Sequence, residues 1–286
     1  MFRTGVEVVT VAAAVRDRRG RVVRGLGRDD FEVLDTGVVA PIQDFFVGDS
    51  PISLGVLLDI SGSMAIGGNI DRARDAVAVA TMNLSQAGDE ASLFTFDSKL
   101  QEVVPFTEDL ARLRRVALEG KPWGVTSLYD AIHATAQSVG TRLNRHRAVL
   151  VITDGVDTGS TLSPGQVSAV ASGIDVPVYL LVVVNPLDHP GGAFEAKASA
   201  GQAASRSALA DLSRWTGGDL RVASVPAHLS LAVRDLFLEL RHQYLLTFQP
   251  GSRAGWHPIE VRTRKKNAVV HARSGYVSSP MRNGRS

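Results

Sequence analysis

Two carboxylates stand where short apolar runs end. Asp59 closes Leu54-Gly55-Val56-Leu57-Leu58, and Asp154 closes Ala148–Thr153. Asp59 leads into Ile60-Ser61-Gly62-Ser63, which places two hydroxyls directly after the acid. If that loop stays extended, side-chain alternation turns Asp59, Ser61 and Ser63 to one side. Two acids and several hydroxyls, with no His or Cys, form a set of hard oxygen donors. Such a set suits Mg²⁺, Mn²⁺ or Ca²⁺ and disfavours zinc. Two aspartates converging at strand ends would raise each other's pKa, and a dication removes that conflict. With two carboxylates and neutral hydroxyls the complex is formally neutral, so an anionic oxygen from a ligand can join it without net repulsion. The competing expectation for Ser63 is a cap on the amides that open the next helix.

The elements that must position these groups fall into three zones. From Val6 to about Phe46 the chain alternates β-branched runs with turns: Val6–Val15, a turn at Arg18-Arg19-Gly20, a partner strand from Val22-Val23, then Phe31–Leu34 and a turn at Asp35-Thr36-Gly37. A short helical turn is expected at Arg28-Asp29-Asp30. From Ile52 to about Arg241, wholly apolar runs (Leu54–Leu58, Ala91–Phe96, Ala148–Thr153, Val176–Val184) alternate with amphipathic stretches (Ile70–Ala87, Leu110–Leu118, Leu128–Leu143, Pro164–Ser172, Ala203–Trp215). That alternation predicts a doubly wound, mainly parallel sheet covered on both faces. Ligands of such a sheet sit beyond the carboxyl ends of its strands. Lys99–Val104 follows Phe96 too closely for a helical crossover and is expected as an antiparallel edge strand. Pro226–Arg241 reads as a closing helix.

Beyond Gln243 the strand pattern returns at Tyr244–Phe248, Ile259–Thr263 and Val269–Arg273, with Lys265-Lys266-Asn267 as a hairpin turn between the last two. Strands at both ends of an α/β unit imply an insertion. The expected division is a small β-sandwich from 1–47 plus 243–279, an α/β domain over 48–242, and a disordered tail over 280–286. A mobile loop is expected over Asn185–Ala204.

The middle zone resembles the von Willebrand factor A (VWA) domain with its metal-ion-dependent adhesion site, MIDAS. The family's Asp-x-Ser-x-Ser matches Asp59-Ile60-Ser61-Gly62-Ser63, its downstream threonine matches Thr126 in Gly124-Val125-Thr126-Ser127, and its second aspartate matches Asp154. The resemblance implies a Rossmann-like fold and a non-enzymatic adhesion module. In it Ser61, Ser63 and Thr126 hold Mg²⁺ (or Mn²⁺ or Ca²⁺) by hydroxyl, and Asp59 and Asp154 hold it directly or through water. The remaining coordination position takes an Asp or Glu from a protein partner. It also implies that the closing helix shifts on binding. The ends resemble the narrower bacterial "VWFA-related" family, on Gly25-Leu26, Asp30–Asp35 with Gly37, Tyr244-Leu245-Leu246 and Ser274-Gly275-Tyr276, so that the likeness spans about residues 2–278. Members of that family often follow an export signal, which favours a secreted or periplasmic location, although the chain itself opens without a signal peptide.

Several neighbours carry a second reading. Trp123, just before the Thr126 loop, is either a partner-contact hot spot or a core residue. Asp157 and Thr158 are loop caps, with Asp157 also a candidate for partner contact. Asp130 stands in the first turn of the helix after Thr126, where an acid complements the helix dipole. Gly62–Gly68 imitates a phosphate loop but lacks the Lys-Ser/Thr that would follow, so no nucleotide is expected. Gly48-Asp49-Ser50 lies before the first sheet strand, away from where an esterase nucleophile would stand. A metal-dependent hydrolase is the first alternative, and it needs a general base that no His or extra Glu near the motifs supplies. A domain that metal only stiffens is the second.

Composition narrows the field further. The 286 residues are 44% hydrophobic and 21% charged, with no cysteine, which excludes disulfides, thiolate metal sites and a cysteine nucleophile. The longest apolar run, Val176–Val184, is far short of the roughly 18–20 residues that span a bilayer. The net charge of +2 hides an asymmetry, because residues 251–286 carry eight Lys or Arg against Glu260 alone. Without interleaved stacking aromatics that end reads as a solvated strand face, and no nucleic-acid partner is expected.

Overall fold

In the N-terminal zone β-branched runs form β1 (Val9–Asp17), β2 (Phe31–Asp35), β3 (Val38–Ala40) and β4 (Ile42–Phe46). The computed structural model describes residues 8–173, 175–186 and 200–278. Most of the loop expected over 185–204, and all of the tail over 280–286, lie outside the described residues. Arg28–Asp30 is a single 3₁₀ turn, as the local sequence suggests. Val22-Val23 does not extend into a partner strand: one bridge, Arg16 to Val22, is all that forms. β1 instead pairs on both sides with strands from the far end of the chain.

The apolar runs of the middle zone become β5 (Ile52–Asp59), β6 (Glu90–Phe96), β7 (Leu100–Thr107), β8 (His146–Thr153), β9 (Val178–Val183) and β10 (Leu220–Ala223). They form one sheet in the order β10-β9-β8-β5-β6-β7, parallel except for β7, which returns antiparallel on β6. β5 is buried along its whole length because helices cover both faces. On one face α1 (Asn69–Asn83), α2 (Leu110–Ala117) and α6 (Pro226–Arg241) pack on Leu54, Val56 and Leu58. On the other, α3 (Leu128–Gly140), α4 (Pro164–Gly173) and α5 (Ala200–Trp215) pack around Leu57, Val149, Val151 and Leu180. This explains why the strands are unbroken apolar runs: both faces are interior.

Gly55 marks the tightest approach of a helix to the sheet. A Cβ there would lie 2.6 Å from Val139 Cγ2 and 3.1 Å from Thr135 Cγ2, both on α3. Gly55→Ala is therefore expected to overpack the layer and to cost about 1–3 kcal/mol in urea unfolding.

The C-terminal zone supplies β11 (Tyr244–Phe248), β12 (Gly255–Thr263), β13 (Ala268–Ala272) and β14 (Gly275–Ser278). With the N-terminal strands they form two four-stranded sheets, β13-β1-β11-β4 and β14-β12-β2-β3. The turn at 265–267 is not a hairpin, because β12 and β13 fall in different sheets. β12 pairs with β2 and β14 while β13 pairs with β1. The chain crosses between sheets there, with Asn267 in the left-handed region (φ 61). The reason is burial: Val11, Ala13, Val15, Phe31, Val33, Leu246, Phe248, Ile259 and Val261, drawn from both sheets, share one apolar cluster. Pairing β12 with β13 would have left those faces without cover.

Candidate metal centre

The strand order reverses between β5 and β8, so the crevice of this sheet opens at their carboxyl ends. Asp59 is the last residue of β5 and Asp154 follows β8 directly. Asp59 is fully buried. Its Oδ2 accepts from the Thr153 hydroxyl at 2.6 Å and its Oδ1 from the Ser61 amide at 2.8 Å. Ser61 is also buried, and its hydroxyl lies 3.2 Å from that of Ser63. The Ser63 side chain in turn favours the charged form of Asp154. A polar chain thus runs Asp59, Ser61, Ser63, Asp154.

Ser63 does not cap the next helix. A 3₁₀ stretch over Gly62–Gly68 intervenes, and α1 opens after Gly68, which holds φ 74. The serine is left facing the acids. Asp154 Oδ1 is buried and has no hydrogen-bond partner. Burial pushes the Asp59 carboxyl up to about 6, with the neighbouring Asp154 charge adding to the shift. Burial raises Asp154 as well. Two dehydrated carboxylates side by side, one with a bare oxygen, are a poor resting state for a folded protein and a good one for a cation.

The third loop is held against the first. The Gly62 amide donates to the Gly124 carbonyl at 3.1 Å, and the Trp123 amide to the Ile60 carbonyl at 2.8 Å. Gly124 has φ 82, and a Cβ on Gly62 would sit 3.3 Å from the Gly124 oxygen, so neither position welcomes a side chain. Thr126 is buried, and its amide donates to the Thr158 hydroxyl at 3.0 Å. Its carbonyl receives the amides of Thr158 and Gly159, each at 2.9 Å. The Thr126 loop is therefore bonded both to the loop that carries Ser61 and Ser63 and to the loop that follows Asp154.

Asp157 and Thr158 act as loop caps. Asp157 accepts from the Leu128 amide at 2.8 Å and the Ser160 hydroxyl at 2.6 Å, capping α3 where Ser127 offers no side-chain cap. Both bonds fall on Oδ1 of a half-buried side chain. Asp130 does more than complement the α3 dipole. It accepts from the amides of Thr161 and Leu162 and the Thr161 hydroxyl, tying the 157–163 loop to the helix. Burial works against its charge, yet these donors hold its carboxyl below the usual range.

Trp123 is 80% exposed, which decides against the core reading. Ile66 and Val125, on the same two loops, are exposed as well. They lie in the loops 65–69 and 123–127, where specificity for a partner is expected, whereas the sequence reading missed Thr153 as the hydroxyl that orients Asp59. Threonine at a strand end looks like an ordinary β former until the fold shows what lies across from it.

Among the described residues no three His, Cys, Asp or Glu side chains gather into one group. The acidic share of the site is its two aspartates, with Ser61, Ser63 and Thr126 as the hydroxyl share. Such a donor set fits a hard dication. Residues 54–156, from within β5 to just past Asp154, match the family model described as von Willebrand factor type A domain. That stretch is the von Willebrand factor type A segment of the α/β unit.

Solved structures repeat the VWA fold at low identity. An aerotolerance-related membrane protein from Bacteroides fragilis aligns with a TM-score of 0.53 and 17% identity, covering 66% of this chain and 98% of that one. A von Willebrand factor type A protein from Catenulispora acidiphila aligns with a TM-score of 0.53 and 12% identity, covering 96% of this chain and 75% of that one. The D319A mutant of the PilB minor pilin from Streptococcus sanguinis gives 0.50 and 14%, covering 70% of this chain and 63% of that one. At these identities the likeness is one of fold. No curated protein matches the chain at a significant level.

Proposed function

We propose that this VWA domain is a non-enzymatic, metal-dependent protein-binding module, presented on a β-sandwich built from the chain's two ends. The observation that carries the reading is the buried, unpartnered Asp154 Oδ1 beside the Ser63–Ser61–Asp59 chain. Ser61, Ser63, Thr126, Asp59 and Asp154 would hold the ion. A bound Mg²⁺, Mn²⁺ or Ca²⁺ supplies a directed positive charge at the strand-end crevice, to which a partner's Asp or Glu can bind. Thr153 and the Ser61 amide orient Asp59 before any ion arrives, and the Ser63 side chain favours the charged form of Asp154.

Calorimetric titration with MgCl₂ tests the metal half. One binding site is expected for the wild type and none for Asp154→Ala; a flat wild-type titration would overturn the reading. The partner half is tested with immobilised synthetic peptides bearing a central Asp or Glu, with and without EDTA. Exposed Trp123 is expected to act as a contact anchor there. Trp123→Ala should weaken Mg²⁺-dependent peptide capture roughly 30-fold, the scale of a buried aromatic anchor, while leaving Mg²⁺ binding and the unfolding midpoint in place.

A further inference from the structure

Far from the metal centre, in the β14-β12-β2-β3 sheet, a histidine is enclosed by acceptors. His257 on β12 is buried, and its Nε2 points at the Arg253 carbonyl at 2.6 Å. A carbonyl only accepts, so Nε2 carries a proton. Its Nδ1 lies 2.8 Å from Asp35 Oδ1 on β2. Asp35 already receives three other donors: the Gly251 amide at 2.9 Å, the Tyr276 hydroxyl at 2.8 Å and the Thr36 hydroxyl at 3.0 Å. A carboxyl surrounded by donors is ionised, so Nδ1 donates to it at 2.8 Å, the shortest of its contacts, while the Tyr276 and Thr36 hydroxyls face the same nitrogen at 3.2 and 3.5 Å. Both ring nitrogens are then protonated, and the ring is an imidazolium stacked on Tyr276, with centroids 4.8 Å apart.

The same two residues fasten a surface loop. Gly251 through Ala254, between β11 and β12, are exposed. The segment is held inward by the Gly251 amide on Asp35 and the Arg253 carbonyl on His257. The fit is close, since a Cβ on Gly251 would lie 3.3 Å from Asp35 Oδ2 and 3.4 Å from His257 Cε1. We infer that protonated His257, paired with Asp35, is a pH-operated latch that holds the β11–β12 loop against the terminal sheet.

The groups facing the ring are Asp35 from β2, Tyr276 from β14 and Arg253 from the loop itself. Burial and the Arg253 charge oppose protonation of His257, but the Arg253 carbonyl and Asp35 outweigh them and its pKa stands above the ordinary value. Asp35 is lowered despite burial, by the Gly251 amide and the Tyr276, His257 and Thr36 side chains. Tyr276 is pushed up and stays protonated. For a group raised on folding, the contribution is complete below its ordinary pKa and fades as pH climbs through the raised value. For Asp35 it is complete above the ordinary carboxylate range and fades in acid. The latch therefore holds under mildly acidic conditions and lets go as pH climbs through the raised His257 value.

Nitrogen-15 NMR of histidine-labelled protein tests this, with the His257 signals assigned from His257→Gln. Expected are a titration midpoint above 6.5 and two protonated ring nitrogens on its acid side. Exchange of the Gly251 amide, corrected for its intrinsic rate, should accelerate roughly tenfold across that midpoint. In His257→Gln that pH-dependent step should vanish. A single neutral tautomer on the acid side of that midpoint, a midpoint at or below 6.5, or an unchanged exchange step in His257→Gln would each overturn the latch. Asp35→Asn should lower the midpoint; if it fails to fold, His257→Gln still decides.

Discussion

Saturating Mg²⁺ is expected to raise the unfolding midpoint of the wild-type chain and to leave that of Thr126→Ala close to its metal-free value. The folded state ties together the three loops that carry the oxygen donors, and the unfolded chain scatters them. A dication held by those donors would bind one state and stabilise it by mass action. At a hundredfold excess over the dissociation constant the gain is about 2.7 kcal/mol. For a chain this long that corresponds to a rise of roughly 5–10 °C. Thr126 is a sharper probe than either aspartate. Removing its hydroxyl leaves the backbone bonds of its loop to Gly159 and the Thr158 amide, so the metal-free protein should change little. Removing Asp59 strips acceptors from Thr153 and Ser61 and confounds metal loss with a damaged core. Scanning calorimetry of both proteins, with Mg²⁺ and with EDTA, reads the difference, and four equal midpoints would refute the metal centre.

Glu239→Leu should destabilise the protein by about 3–5 kcal/mol in urea unfolding. Glu239 is a fully buried acid on α6. Arg16 of β1 donates to one of its oxygens, and the Tyr179 hydroxyl of β9 donates to the other at 3.1 Å. Arg16 also pairs with Asp219 at 2.7 Å. One arginine thereby joins the terminal sheet to α6 and to the loop between α5 and β10. Deleting the acid leaves a buried guanidinium with half its compensation. Replacing both, as Arg16→Met with Glu239→Leu, removes the uncompensated charge and should recover most of the loss. If the double variant is as unstable as the single one, packing rather than charge governs this junction.

Most of the VWA domain was legible because both faces of its sheet are buried. β5, β6, β8 and β9 read as continuous apolar runs, and α6 has the same limits in sequence and structure. Asp59 and Asp154 stood out as acids at the ends of such runs. Thr126 did not: it lies in a loop of ordinary composition, and only a family resemblance singles it out. The terminal sheets were legible as strands but not as pairings. Which strand β13 joins depends on β1, on the far side of the whole α/β unit, and no local pattern near residue 265 encodes it. β10 escaped notice because its four residues are mostly half-buried and carry no apolar run. The caps formed by Asp157 and the tether formed by Asp130 join loops some thirty residues apart, beyond the reach of spacing rules.

β1 pairs with β11 and β13, whose residues lie more than two hundred positions downstream. On a ribosome adding about 5–20 residues each second, β1 waits tens of seconds for its partners. Throughout that interval Val9, Val11, Ala13 and Val15 present an unmatched apolar edge while the VWA domain can already close behind them. Nascent chains stalled before residue 244 should accordingly hold a finished α/β body with a sticky leader, a natural client for a holding chaperone.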